Sequence, residues 1–349
     1  MKETADLPLI SVIVPAFNEE ALLEDHVLKL CDYLESISDR YRSELLIIND
    51  GSSDSTGKMA NSLAERHDRI RALHHPRNFG LGQTLKFGFV NTQGDYVVTL
   101  DIDLSYDVNH IGELVDKMRE SNAKIVLASP YMRGGSVRNV PALRRVLSIL
   151  GNKFLSIFAQ GRFTTLTGMV RAYDGPFIRS LDLRSTGMDI MPETIYKALV
   201  LRASIAEIPG RLDWGAQNQY GAARMSSMRL MRQVLSTVLS GFVFRPFLFF
   251  IIPGLLIGAF AAYVDFWMFV HFLEAYEELS LKAGQSSFSN AFAIAYARHP
   301  HTFVTALLAT MLAAQLIGLG VITLQAKRYF EDLFHQGSTS LKELRRPVD

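Results

Sequence analysis

Apolar residues are spread unevenly along this chain of 349 residues, and that unevenness limits what it can fold into. Two runs beyond Phe242 dominate. Pro246–Val264 is uncharged and continues past Asp265 into Phe266–Phe272, and Phe303–Leu324 is uncharged with Gln315 as its one sizeable polar group. A helix needs about 20 apolar residues to cross a bilayer core. Both runs meet that length, which predicts two transmembrane helices rather than two helices of a soluble core. Pro253-Gly254 leaves re-entrant insertion open as an alternative for the first.

Two spans return the chain to the side it left. Arg224, Arg229, Arg232 and Arg245 precede the first, and Lys327 and Arg328 follow the second. The connection carries Glu274, Glu277 and Glu278 against Lys282 and Arg298. The excess of cations on the flanks predicts that both face the cytoplasm. Residues 222–242 alternate arginines with Met225, Met228, Leu230, Met231, Val234 and Leu235 and contain no acid, a pattern for a juxtamembrane helix on an anionic surface. An ordinary docking helix is the other reading. The expected organisation is a folded domain over 1–221, the juxtamembrane helix over 222–242, two spans and their loop over 243–326, and a cytoplasmic tail over 327–349. Two spans per chain could also pack against copies of themselves as a homo-oligomer.

The remaining composition excludes several classes. Lys and Arg total 36 against 35 Asp and Glu, so no global basic field marks a nucleic-acid binder. The single cysteine, Cys31, rules out an intramolecular disulfide and any cysteine-cluster metal site. The apolar run Leu9–Val14 is too short for a signal core and stops at Pro15, so it reads as a buried strand.

Over residues 8–130, short β-branched runs alternate with helical stretches. Strands are expected at Ile10–Val14, Leu45–Ile48, Ile70–Leu73, Tyr96–Leu100 and Lys124–Ala128. Helices are expected at Glu19–Ser36, Ser55–His67, Leu81–Asn91 and Asn109–Glu120. Continuous apolar strands separated by helices predict an α/β fold with a mostly parallel sheet covered on both faces. Ligands bind such sheets beyond the carboxyl ends of the strands. Polar clusters fall there: Asn18-Glu19, Asp50-Gly51-Ser52-Ser53 and Asp101-Ile102-Asp103. Beyond residue 130, Leu143–Phe158 and Pro192–Leu201 have helical spacing, while Gly168–Tyr173 and Ala203–Ile208 read as strands.

Asp101 and Asp103 flank one residue directly after an apolar strand. Paired carboxylates there are hard ligands for Mg²⁺ or Mn²⁺, ions that also bind diphosphate oxygens. Alone the pattern is weak, because strand-end aspartates often cap turns. Asn18 could likewise be a helix N-cap, Asp50-Gly51 a plain turn, and Gly80 and Gly82 aids to close packing.

Taken together and in order, the runs Ser11-Val-Ile-Val-Pro-Ala-Phe-Asn-Glu-Glu20, Leu46-Ile-Ile-Asn-Asp-Gly-Ser-Ser-Asp-Ser55, Asn78-Phe-Gly-Leu-Gly82 and Asp101-Ile-Asp103 resemble glycosyltransferase family 2. The resemblance implies the GT-A (nucleotide-diphospho-sugar transferase) fold, followed here by C-terminal transmembrane helices. It implies that Pro15, Ala16, Phe17 and Glu19 line a nucleoside pocket and that Asp50 contacts the base. It implies that Asp101 lies near the donor ribose or diphosphate and metal, and that Asp103 is the principal ligand of Mg²⁺ or Mn²⁺.

Ser129-Pro-Tyr-Met-Arg-Gly-Gly135, Leu143-Arg-Arg-Val-Leu-Ser148, Leu166-Thr-Gly168 with Arg171 and Tyr173, and Glu193 are similar to dolichyl-phosphate mannose synthases and bacterial polyprenyl-phosphate relatives. That narrower resemblance implies a nucleotide-sugar donor and a polyprenyl phosphate acceptor at the membrane. Arg144 and Ser148 match the positions that grip the acceptor phosphate, with Arg133, Arg145 and Arg224 as further cations. Arg144 and Ser148 stand one helical turn apart, so both can face one phosphate. The chain departs from the pattern at Pro130, Thr165 and Asn218. The implied reaction is an inverting single displacement, which needs no general base because a lipid phosphate is already anionic. A hydroxyl acceptor would need a carboxylate, for which Asp189 and Glu193 are the candidates. The alternatives are a family 2 enzyme with a non-lipid glycan acceptor and a catalytically silent membrane scaffold.

Overall fold

The structure, a computed structural model, describes residues 7–158, 163–215, 247–283 and 287–344. The expected juxtamembrane helix at 222–242, with Arg224 and Asn218, lies outside the described residues. The chain divides into two compact units: Arg245–Phe334, and the residues before and after that segment.

In the first unit, β1 (Leu9–Ala16), β2 (Arg42–Asn49), β3 (Ile70–His74), β4 (Tyr96–Thr99) and β5 (Ile125–Ser129) alternate with α1 (Leu23–Ser36), α2 (Thr56–Arg66), α3 (Leu81–Asn91) and α4 (His110–Ser121). Every strand and helix expected before residue 130 is present within a few residues of its expected ends. After them come β6 (Ser136–Arg138), α5 (Ala142–Phe158), β7 (Arg171–Asp174), α6 (Gly175–Ser180), α7 (Ile190–Val200), β8 (Ile205–Pro209) and β9 (Arg211–Asp213). The main sheet runs β3-β2-β1-β4-β7-β5-β8. All neighbours are parallel except β7, which is antiparallel to both β4 and β5. β6 and β9 form a separate parallel pair. These two three-residue strands and α6 were not anticipated, since they are too short to show a period.

Both faces of the sheet are covered, as its apolar strands require. Ile10, Val12 and Val14 of β1 and Leu45 and Ile47 of β2 join the core formed with α1, α2 and α4. The alternate residues Ile13 and Ile48 point the other way, against Gly88 of α3. β1 therefore lies centrally, and the chain leaves its carboxyl end beside those of β2 and β4. Strand order reverses between β1 and β4, the place where open α/β sheets leave a crevice.

The second unit contains α8 (Leu248–Ala283), α9 (Phe288–Arg298) and most of α10 (Pro300–Leu344). Among the described residues, α8 and α10 are the two helices long and apolar enough to cross a membrane. At 1.5 Å per residue both exceed the roughly 30 Å of a hydrocarbon core. α8 runs through Pro253 without a break. Small residues bring the helices together: Gly254 meets Leu316 and Ile317, and Gly320 meets Ile251. The Thr310 hydroxyl donates to Asp265 at 2.9 Å, giving the polar group in the first run a partner on the other helix.

Candidate active site

A cleft of about 360 Å³ opens at the carboxyl ends of β1, β2 and β4. Its lining includes Pro15, Ala16, Phe17, Glu19, Asp50, Asp101 and Asp103, seven residues singled out from the sequence. Asn78, Gly80, Thr84 and Met169 complete much of the rest.

The loops after β1 and β2 are tied to each other. Asn18 has a left-handed backbone, φ 57°. Its side-chain oxygen accepts the Ser53 N–H at 2.9 Å, while its own N–H donates to Ser52 Oγ at 3.0 Å. Glu20 accepts the Ser55 N–H at 2.9 Å, and Asp54 accepts the Glu20 N–H at 3.2 Å. Asn18 is thus an inter-loop tie, not the N-cap of α1, which begins only at Leu23.

Asp50 is held on three sides. It accepts His75 Nδ1 at 2.8 Å and the backbone N–H groups of Phe79 at 3.0 Å and Gly80 at 2.9 Å. Burial raises the cost of its charge, but these donors outweigh burial and keep its pKa below the ordinary carboxylate value. The carboxylate is therefore ionised and oriented before any ligand arrives. Gly51 makes this packing possible: its φ is +66°, and a Cβ there would lie 2.2 Å from the Arg77 carbonyl carbon. Gly80 and Gly82 do serve close packing, against the backbone of residues 185–187.

After β4 the chain turns tightly. The Leu104 N–H donates to the Asp101 carbonyl at 3.2 Å, Leu104 itself is left-handed with φ 48°, and Asp103 Oδ1 accepts the Ser105 N–H at 2.9 Å. From α1, buried His26 places Nδ1 2.7 Å from the Ile102 carbonyl, fixing the peptide between the two aspartates. Burial, then the negative charges of Asp103 and Glu19, push the Asp101 carboxyl up to about 7. Burial is also the first cause raising Glu19, followed by Asp103 and Asp54. The floor of the cleft thus concentrates negative charge with too little compensation, an environment suited to a divalent cation. Among the described residues no group of three His, Cys, Asp or Glu forms a complete protein cage. Two carboxylates with remaining positions for diphosphate oxygens and water match how Mg²⁺ is usually held.

The expected acceptor residues that are described are not part of this cleft lining. Arg133 and Arg145 are exposed. Arg144, on α5, is half-buried, its guanidinium 4.6 Å from the centre of the Trp214 ring. Burial lowers its pKa from the ordinary value, and no ion pair engages it among the described residues. Ser148 Oγ accepts the Tyr131 hydroxyl at 2.7 Å. α5 also turns Leu143, Val146, Ile149 and Leu150 outward. Arg224 lies outside the described residues.

Glu193 is not arranged as a base. It pairs with buried Lys197 at 2.6 Å and accepts the N–H groups of Arg184 and Ser185. These contacts hold its pKa below the usual carboxylate range despite burial. Its ion-pair partner is a lysine one turn along α7. Sequence reasoning missed His26, His75, Tyr131, Met169 and Trp214, because their relation to the site is set by packing between distant elements.

An α/β crevice at a topological switch point, lined by an oriented carboxylate on one side and an acidic pair on the other, is where a sheet of this kind binds its ligand. Residues 11–179 match the model of Glycosyl transferase family 2. The domain belongs to glycosyltransferase family 2. Glycosyltransferase AglD of Haloferax volcanii is 33% identical over 149 residues, covering 43% of this chain and 24% of that protein. The chain thus spans about a quarter of that relative's length. Polyprenol monophosphomannose synthase of Mycolicibacterium smegmatis is 27% identical over 229 residues, covering 63% and 82%. Among solved structures, glucosyl-3-phosphoglycerate synthase from Mycobacterium tuberculosis, in complex with Mn²⁺, UDP and phosphoglyceric acid, superposes with a TM-score of 0.48 at 21% identity, covering 67% and 78%.

Proposed function

We propose that this chain transfers a hexose, with inversion, from a GDP-mannose- or UDP-glucose-type donor to a polyprenyl phosphate at the membrane. The observation that carries the acceptor half is Arg144. A half-buried guanidinium with no carboxylate partner among the described residues, backed by an aromatic ring, is prepared for an anion. Ser148 accepts from Tyr131, so its own proton is available to the same anion. The outward apolar residues of α5 suit the hydrocarbon part of such an acceptor, and the two long apolar helices support a membrane setting for the chain. The similarity to a polyprenol monophosphomannose synthase supports the same reading.

On the donor side, Phe17 and its neighbours would take the nucleoside, and Asp50 would accept a base N–H with its remaining lone pair. Asp101 and Asp103 would hold Mg²⁺ or Mn²⁺, which when bound neutralises charge on the departing nucleoside diphosphate. An acceptor phosphate oxygen forms the new bond to the anomeric carbon as the bond to the diphosphate oxygen breaks, and the nucleoside diphosphate leaves with that electron pair. The protein's task is alignment and charge stabilisation, with no proton to remove. The positive flanks of the spans support a cytoplasmic site.

The test uses the full chain in detergent with polyprenyl phosphate, Mn²⁺ or Mg²⁺, and radiolabelled GDP-mannose, UDP-glucose or UDP-N-acetylglucosamine. Label entering the organic phase is expected to require metal, lipid phosphate and Asp103, with Asp103→Ala as control. Nucleotide binding without label transfer from any donor would overturn the proposal in favour of another acceptor or a silent scaffold.

A further inference from the structure

Residues 164–168 have no strand or helix of their own, so their backbone groups need side-chain partners. Glu207 of β8 accepts the N–H groups of Thr164 and Thr165, at 2.9 and 3.1 Å. Fully buried Arg171 of β7 donates to the carbonyls of Leu166 and Gly168, each at 2.7 Å. The two central N–H groups, of Leu166 and Thr167, go to Asn152 Oδ1 at 2.7 and 3.3 Å, with the Thr167 hydroxyl at 3.2 Å. Two of the three clamps stand on the sheet. Asn152 alone stands on α5.

The other end of the same carboxamide faces the helix. Asn152 Nδ2 donates to the Ser148 carbonyl at 3.0 Å and lies 3.5 Å from Ser148 Oγ. Arg144, Ser148 and Asn152 follow at intervals of four and share one helix face. Of the described side chains on α5, only Asn152 and Leu155 are buried. Past Gly168 the loop leads directly to Met169, which lines the cleft and whose carbonyl accepts the Thr99 hydroxyl at 2.6 Å, two residues before Asp101.

We infer that Asn152 is a positioning residue that keeps the Arg144–Ser148 face of α5 in register with the donor cleft. The inference rests on reading that face as the acceptor grip. Removing the carboxamide leaves the buried Leu166 N–H without its acceptor and α5 with one buried side chain, among those described, to fix it. Donor ligands on β1, β2 and β4 are untouched. Displacing one reactant by an ångström costs far more in transfer than in binding of the other.

The experiment uses the full chain in detergent and compares wild type, Asn152→Ala, Asn152→Asp and Arg144→Ala. Two readouts are taken: nucleoside diphosphate affinity with Mn²⁺ by calorimetry, and kcat/KM for polyprenyl phosphate at saturating donor. For Asn152→Ala we expect kcat/KM to fall on the order of 100-fold, with nucleotide affinity within about two-fold of wild type. Asn152→Asp keeps an oxygen for the loop but gives up the donor to Ser148, and shows the same pattern if the alanine variant fails to fold. Unchanged kcat/KM in either folded Asn152 variant, with Arg144→Ala impaired, overturns the inference alone. Parallel loss of nucleotide affinity and transfer also overturns it, since that is general loss of structure. Unimpaired Arg144→Ala overturns the acceptor reading and this inference with it.

Discussion

Replacing Asp101 by asparagine removes one charge from the cleft floor and leaves its shape nearly intact. In the free protein that charge is a liability, because burial and the neighbours Asp103 and Glu19 hold the Asp101 pKa near 7 against an ordinary 3.8. A raised folded-state value means the folded protein binds the proton more tightly than the unfolded chain. Stability therefore falls as pH rises between these two values, and the full penalty applies above the higher one. Each pKa unit is about 1.4 kcal/mol, so the ionised group costs up to about 4 kcal/mol at pH 8. Without divalent metal, Asp101→Asn is expected to be more stable than wild type at pH 8, by on the order of 10 °C in Tm for a domain of this size. The gain should fade as pH is lowered through the window and vanish near pH 4. Saturating Mn²⁺ with nucleoside diphosphate should then stabilise wild type by about 3 kcal/mol at a hundred-fold excess over Kd, and the variant far less. Differential scanning fluorimetry of the full chain in detergent across pH, with and without Mn²⁺, makes the comparison. A variant no more stable than wild type at pH 8 without metal, or a gain independent of pH, would refute the reasoning.

Three further perturbations probe the supports of the site. Gly51→Ala forces a side chain into the Arg77 backbone at a left-handed position; we expect nucleotide affinity to drop at least about ten-fold with a lower Tm, read by calorimetry and melting. Glu193→Gln strips buried Lys197 of its charge partner; a loss of roughly 3 kcal/mol in stability is expected, while the pH dependence of kcat keeps its shape, and a vanished acidic limb would instead make Glu193 the general base. His26→Leu frees the Ile102 carbonyl between the two aspartates; titration with Mn²⁺ should show metal binding weakened about 10-fold or more, with little change in nucleoside affinity without metal.

Alternation of apolar strands with amphipathic helices was enough to locate β1 to β5 and α1 to α4, because the central strands are buried on both faces and the helices on one. The parallel arrangement followed from the helical crossovers. The same local logic placed Asn18-Glu19, Asp50 and Asp101–Asp103 at strand ends that share an edge of the sheet. The second half was less legible. The direction of β7, antiparallel between two strands it does not follow in sequence, is fixed by register with Tyr96–Thr99 and Ile125–Leu127. β6 and β9 are too short to carry a period.

What the sequence determined alone is therefore the order of elements, the two apolar helices and the set of chemically capable residues, since periodicity, length and residue type are local properties. The tertiary structure decided how those residues are used. It surrounded Asp50 with three donors from the turn after β3, fixed the Asp101–Asp103 peptide from a helix some 75 positions earlier through His26, and made Glu193 the partner of Lys197. It also joined α5 to the cleft through Asn152. Each of these depends on distances between residues far apart in the chain, and no spacing within the sequence encodes them.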